Sequence, residues 1–209
     1  MNTHPYLLAD ETAVKKLQLG CGGNYLIHRG WLDTDFNPLA QHVLRLDASQ
    51  PFPFPDNSFD YVYSEHMIEH LPYAGGVNML LESFRVMKPG ARIRITCPDI
   101  QFLIDMYNGK PGIHQEYSEW SCKEVTPWAP FSDPVFTINN YVRAWDHQFI
   151  YSKTVLARTM SMAGFVDIAE YDIEQSDDPE LCNLEIPSRM RPGFLQLESM
   201  TLEAIKPME

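Results

Sequence analysis

The chain has 209 residues, 44% hydrophobic and 21% charged, with a net charge of −12 at pH 7. That length allows one domain with a substantial core. The acidic balance argues against a broad nucleic-acid face, which needs clustered Lys and Arg, and no apolar run approaches the roughly 20 residues of a membrane span.

Residues 1–12 read as a lead-in. Ala13–Leu19 is a first strand entering the glycine-rich turn Gly20-Cys21-Gly22-Gly23-Asn24. Trp31–Asp35 is a second strand ending in acid, and His42–Leu46 a third, ending at Asp47. Pro51, Pro53 and Pro55 then bar regular structure. Phe59–Tyr63 is a fourth strand. Val77, Leu80, Leu81 and Phe84 fall on one helical face, with a stop before Pro89-Gly90. Arg92–Cys97 is a fifth strand. Ile100, Leu103, Ile104 and Tyr107 mark another helix, ending near Asn108-Gly109. Ser152 caps a helix with inner face Val155, Leu156, Thr159, Met160 and Ala163, stopped by Gly164. Phe165–Tyr171 and Met200–Ile205 are two late strands.

Strands alternating with helices imply an α/β fold with a mainly parallel sheet covered on both faces. The whole chain reads as one domain with an insertion at about 110–148. That insertion carries Trp120, Trp128 and Trp145 and is expected to be a lid or acceptor-side loop. The cysteines at 21, 97, 122 and 182 have no CxxC spacing, so no zinc knuckle or disulfide framework is indicated. With no leader pattern visible, a reducing, cytoplasmic setting is expected.

In parallel sheets, ligands bind beyond the carboxyl ends of the strands. The glycine turn, Asp35, Asp47 and Ser64 all fall at such ends. Gly20, Gly22 and Gly23 let a ligand approach the backbone. The dinucleotide pattern G-x-G-x-x-G fails, because its third glycine position holds Tyr25. Asp35 suits a ribose diol, with Asp33 as the alternative. Asp47-Ala48 suits an adenine amino group.

The series resembles the class I S-adenosylmethionine-dependent methyltransferases, and within them the small bacterial set whose first motif reads Leu-Gly-Cys-Gly. Phe54–Asp60, Glu65–His70, Phe84–Gly90, Cys97–Asp99 and Ala163–Phe165 extend the resemblance. It implies a Rossmann-like seven-stranded sheet, mostly parallel, with an antiparallel terminal hairpin and helices on both faces. S-adenosylmethionine would be the cofactor and S-adenosylhomocysteine the product. Gly20, Cys21, Gly22 and Gly23 would hold the methionine part, Asp35 the ribose, and Asp47-Ala48 the adenine. Ser64, Glu65 and His66 would form the rim near the sulfonium. Two departures stand out: Gln18 replaces the usual acid of the first motif, and Asn24 its third glycine.

Methyl transfer to a small-molecule or sugar acceptor is the expected reaction. His66 and His147 are the candidate bases, with Asp146 placed to raise the His147 pKa. The alternative is a non-catalytic nucleoside-binding module. A further alternative is a zinc hydrolase, since His66-Met-Ile-Glu69-His70 fits the H-x-x-E-H pattern. The preferred reading needs no metal and no nucleic-acid or membrane partner. Acceptor and oligomeric state are not legible.

Overall fold

The computed structural model describes Tyr6 and residues 13–208. The lead-in reading therefore lies almost wholly outside the described residues. Seven strands form one sheet: β1 (Lys16–Leu19), β2 (Trp31–Asp35), β3 (Leu44–Arg45), β4 (Phe59–Glu65), β5 (Met87–Pro98), β6 (Val166–Tyr171) and β7 (Ser199–Ile205). Their order is β3-β2-β1-β4-β5-β7-β6. β3 through β5 pair in parallel, and β7 runs antiparallel to both β5 and β6. This is the expected mostly parallel sheet with an antiparallel end.

The helices are α1 (Tyr73–Val86), α2 (Ile100–Tyr107), α3 (Ile113–Glu124), α4 (Pro134–Arg143), α5 (Lys153–Met162) and α6 (Phe194–Glu198). Strand alternation sends Leu17, Leu19, Val62, Ile93 and Ile95 to one face, where they pack with Met79 and Leu80 of α1 and Leu156 and Met160 of α5. The opposite face carries Trp31 and Tyr63, covered by Leu26, Leu181 and Leu184. Its cover there is the chain between β6 and β7, which contains the short turns Pro179–Leu181 and Pro187–Arg189. This second face is also polar. Arg94 is fully buried and donates to Glu185 at 2.7 Å and Glu203 at 2.6 Å.

The insertion is helical. α4 begins at Pro134, with the Asp133 carboxylate accepting from Val135 N. Phe102 of α2, Tyr117 of α3, Tyr141 of α4 and Phe194 of α6 interlock in a second apolar cluster beyond the end of β5. That cluster gives the segment its own packing, so it needs no support as a bare loop.

Several boundaries shift. β3 keeps only two of the five expected residues, and β5 starts five residues early, running through Pro89-Gly90. Two helical faces are also rotated. Leu81, Ile104 and Tyr107 are exposed, while Met79, Phe102 and Met106 are buried in their place. The apolar residues there are spread around the helices, so periodicity alone does not choose the inward face.

Candidate functional site

β1 delivers the chain into the glycine turn at its carboxyl end. Gly20 and Gly22 have φ of 65° and 51°, a left-handed backbone that favours glycine. A Cβ on Gly20 would also collide with the Met67 side chain. Asp35, at the end of β2, accepts from Gly22 N at 2.9 Å, which ties the turn to the neighbouring strand.

Two cavities open onto this turn, and a third adjoins them at His66. The first, about 610 Å³, is lined by Gly20, Gly22, Asp35, Asp47, Ala48, Met67 and His70, among others. The second, about 310 Å³, is lined by Gln18, Cys21, Gly23, Asn24, Glu65 and Arg189 together with Gly20 and Gly22. The third, about 250 Å³, is walled by Tyr117, Trp120, Tyr141 and Trp145, with Glu69, Glu198 and His147. His66 lines all three.

His66 sits just past the end of β4 with φ of 45°, and Trp145 and Asp146 have φ of 56° and 62°. A non-glycine residue in that region costs on the order of 1–3 kcal/mol, and such strain clusters at functional positions. The two left-handed residues turn the chain so that His147 N reaches Ala144 O at 3.1 Å, setting His147 against the third cavity.

The electrostatics are set by burial. Burial lowers the His66 pKa well below its ordinary value, and Arg189 adds to the effect, so the imidazole is neutral at neutral pH. Its Nε2 lies 2.7 Å from Ser199 Oγ. Burial pushes the Glu69 carboxyl up to about 8 and that of Glu198 up to about 7. The Cys21 thiol is pushed up to about 12 by burial and by Asp35, so it stays protonated. Glu65 is buried and raised, yet well partnered. It accepts from Tyr63 OH and from Asn24 Nδ2, each at 3.2 Å, and Arg189 Nη1 stands 3.2 Å from its other oxygen.

Most of the sequence-derived residues converge on this place. Gly20, Gly22, Asp35, Asp47, Ala48 and His66 line the first cavity, and Cys21, Gly23 and Glu65 the second. Ser64 does not reach them. It is fully buried at the end of β4 and lines none of the three cavities. Asp33 is set apart too: its buried carboxylate accepts from Leu26 N and Ile27 N and holds a turn. Asp47 lines the first cavity while its Oδ1 accepts from Ser49 N and Oγ.

Two expectations are corrected. Asp146 pushes the His147 pKa upward, as expected, but does not set its net direction. Desolvation outweighs it and the net shift is downward, while His147 Nδ1 contacts Tyr141 O at 2.6 Å. The H-x-x-E-H segment is not an α-helix: Ile68–His70 is a single 3-10 turn, so the helical i, i+4 pairing of His66 and His70 is absent. Arg189 was not foreseen. It lies on a short turn far along the chain and carries no motif.

Comparison with known proteins agrees with this architecture. The fold is that of the class I S-adenosylmethionine-dependent methyltransferases. Residues 17–95, from β1 into β5, match the family model of a methyltransferase domain. An S-adenosylmethionine-dependent methyltransferase from Archaeoglobus fulgidus is similar at 17% identity and a TM-score of 0.56, over 97% of this chain and 89% of that one. A possible histamine N-methyltransferase from Thermotoga maritima is similar at 16% identity and a TM-score of 0.56, over 96% and 87%. Phosphoethanolamine N-methyltransferase 2 from Haemonchus contortus, solved in complex with S-adenosylmethionine, is similar at 15% identity and a TM-score of 0.55. There the match covers 94% of this chain and 49% of that longer protein. No curated protein sequence matches. No helix among the described residues is long and apolar enough to cross a membrane.

Proposed function

We propose that this protein transfers a methyl group from S-adenosylmethionine to a small-molecule acceptor. The observation that carries the reading is the junction of three chemically different cavities at His66. The largest offers Asp35 for a ribose diol and Asp47-Ala48 for adenine. The second offers a carboxylate and a guanidinium 3.2 Å apart, Glu65 and Arg189, a complement to the ammonium and carboxylate of an amino acid. Nucleoside and methionine, joined at a sulfonium, fit two cavities that share Gly20, Gly22 and His66.

The same arrangement supplies what Gln18 lacks. Gln18 brings no charge, but its Oε1 is buried without a hydrogen-bond donor among the described residues and belongs to a side chain lining the second cavity. It is an acceptor in want of an ammonium proton. Glu65 provides the negative charge, and Asn24 holds Glu65 by donating to its Oε2.

The aromatic cavity then takes the acceptor. The methyl group already has a good leaving group, so the protein chiefly aligns the nucleophile behind it and excludes water. Aromatic faces also favour a sulfonium's positive charge. Where the acceptor carries a proton, His66 is a neutral imidazole at the junction able to accept it.

Two measurements test the reading. Calorimetric titration with S-adenosylhomocysteine is expected to show one site, weakened by Asp35→Ala. Incubation with methyl-labelled S-adenosylmethionine and pooled small metabolites is expected to yield labelled product. Absence of cofactor binding overturns the proposal. Binding without product from any pool favours the non-catalytic nucleoside-binding module instead.

A further inference from the structure

We propose that Glu69, His70 and His147 form a binding site for one divalent transition-metal ion, placed between the nucleoside cavity and the aromatic cavity. One donor atom from each lies within 4.8 Å of the others. Glu69 Oε1 is 3.9 Å from His70 Nε2, and the His70 and His147 rings meet edge to face with centroids 4.9 Å apart. Donors sharing an ion at about 2.1 Å stand up to roughly 4 Å apart, so small side-chain rotations complete the site.

Three independent features point to a cation. First, Glu69 is fully buried, and neither carboxylate oxygen has a hydrogen-bond donor among the described residues. A buried carboxyl without a donor is costly, and a metal ion is a partner that removes the cost. Second, His147 Nδ1 contacts the Tyr141 carbonyl at 2.6 Å and must donate there. That fixes the tautomer with the lone pair on Nε2, the way a backbone carbonyl orients a metal-bound histidine. Third, the two segments are clamped together. Gln148 N and Phe149 N donate to Glu69 O, and Gln148 Nε2 donates to His70 O.

The donor set selects the ion. Two imidazoles and one carboxylate suit first-row ions such as zinc, cobalt, iron or manganese, and leave further positions open. Glu69, His70 and His147 all line the aromatic cavity, and His70 also lines the nucleoside cavity. The open positions therefore face the space where an acceptor would sit, available to water or to an acceptor's oxygen or nitrogen. The ion takes the His147 lone pair, and His66, with Nε2 2.7 Å from Ser199 Oγ and Nδ1 3.5 Å from Glu69 Oε1, stays outside the trio. This trio differs from the H-x-x-E-H set, since it recruits His147 and does not require a helix.

The test is titration of the chelator-treated, full-length protein with Co2+ and Zn2+. One equivalent is expected to bind, with a cobalt visible absorption band and a higher melting temperature. His147→Ala and Glu69→Gln are each expected to weaken binding by about tenfold or more, and His42→Ala, remote from the trio, to leave it unchanged. Circular dichroism reports whether each variant folds. His147 is only half-buried, so its variant remains informative if Glu69→Gln misfolds. No stoichiometric uptake by folded protein overturns the proposal, as does uptake of undiminished affinity in folded His147→Ala. S-adenosylhomocysteine binding by the metal-free protein is read separately, so failure of the cofactor reading and failure of the metal site are distinguishable.

Discussion

Arg189 Nη1 stands 3.2 Å from Glu65 Oε1, across a cavity whose other walls come from the β1 turn. The pair joins the end of β4 to a turn in the segment that covers the second face of the sheet. If the cavity takes a methionine carboxylate, Arg189→Met is expected to weaken S-adenosylhomocysteine binding about 10- to 100-fold, the range for loss of a charge-assisted hydrogen bond. Adenosine, which lacks the amino acid, is expected to bind both proteins equally. Equal losses for the two ligands would show that Arg189 acts on the fold and not on the ligand.

Asp33 and Asp35 make opposite contributions despite sitting two residues apart on β2. Asp35→Ala removes the partner of Gly22 N and the acid lining the first cavity. Cofactor affinity is expected to fall by about tenfold, the effect of one or two lost hydrogen bonds, with little change in melting temperature. Asp33→Ala strips two backbone donors of their acceptor in a buried place. A stability loss of about 1–3 kcal/mol is expected, read from urea unfolding, with ligand affinity largely kept in the folded fraction.

Glu198 gives the fold a pH dependence of defined sign. Its carboxyl titrates at about 7 in the folded protein because it is buried, against 4.5 for an ordinary glutamate. Between those values the folded state binds more protons than the unfolded one, so its contribution makes stability fall as pH rises through that window and level off above it. Glu198→Gln can still accept from Tyr117 OH, the present 2.7 Å bond. The variant is expected to match the wild type near pH 4.5 and melt higher at pH 8. A wild-type advantage at pH 8 would contradict this.

Arg94 is the buried hub of the second face, with Glu185 and Glu203 on either side. Arg94→Met leaves two carboxylates buried without their cation. A loss of about 3–5 kcal/mol is expected, as for removal of one partner from a buried pair. Replacing all three residues by apolar side chains of similar volume is expected to recover most of that loss. Denaturant midpoints of the single and triple variants decide it.

The parts of this protein that could be read in its sequence are those where backbone chemistry is local. β1, β2 and β4 have short apolar runs, and the turn after β1 has glycines where left-handed backbone is required. That Asp35 and Asp47 line a cavity was readable because strand ends are where parallel sheets meet ligands. Period-two alternation could not separate Asp35 from Asp33, since both project to the same side of β2. Arg189 and the aromatic wall were less visible. Arg189 enters the site through tertiary packing of a turn, and α3 has an apolar face too thin to announce a helix. The trio of Glu69, His70 and His147 joins two neighbours to a residue far along the chain, brought close where Gln148 and Phe149 bond to the backbone of Glu69 and His70.

The aromatic rings Tyr117, Trp120, Tyr141 and Trp145 of the third cavity come from α3, α4 and the left-handed turn after α4, while the two neighbouring cavities draw chiefly on strand ends, the glycine turn and the segment that follows β4. The helical segment rests on its own apolar cluster, separate from the sheet's main core. Selection can therefore rework residues 110–144 for a new acceptor while the cavity lined by Asp35 and Asp47 keeps its walls, and an engineer grafting a different helical pair between α2 and α5 inherits the same freedom.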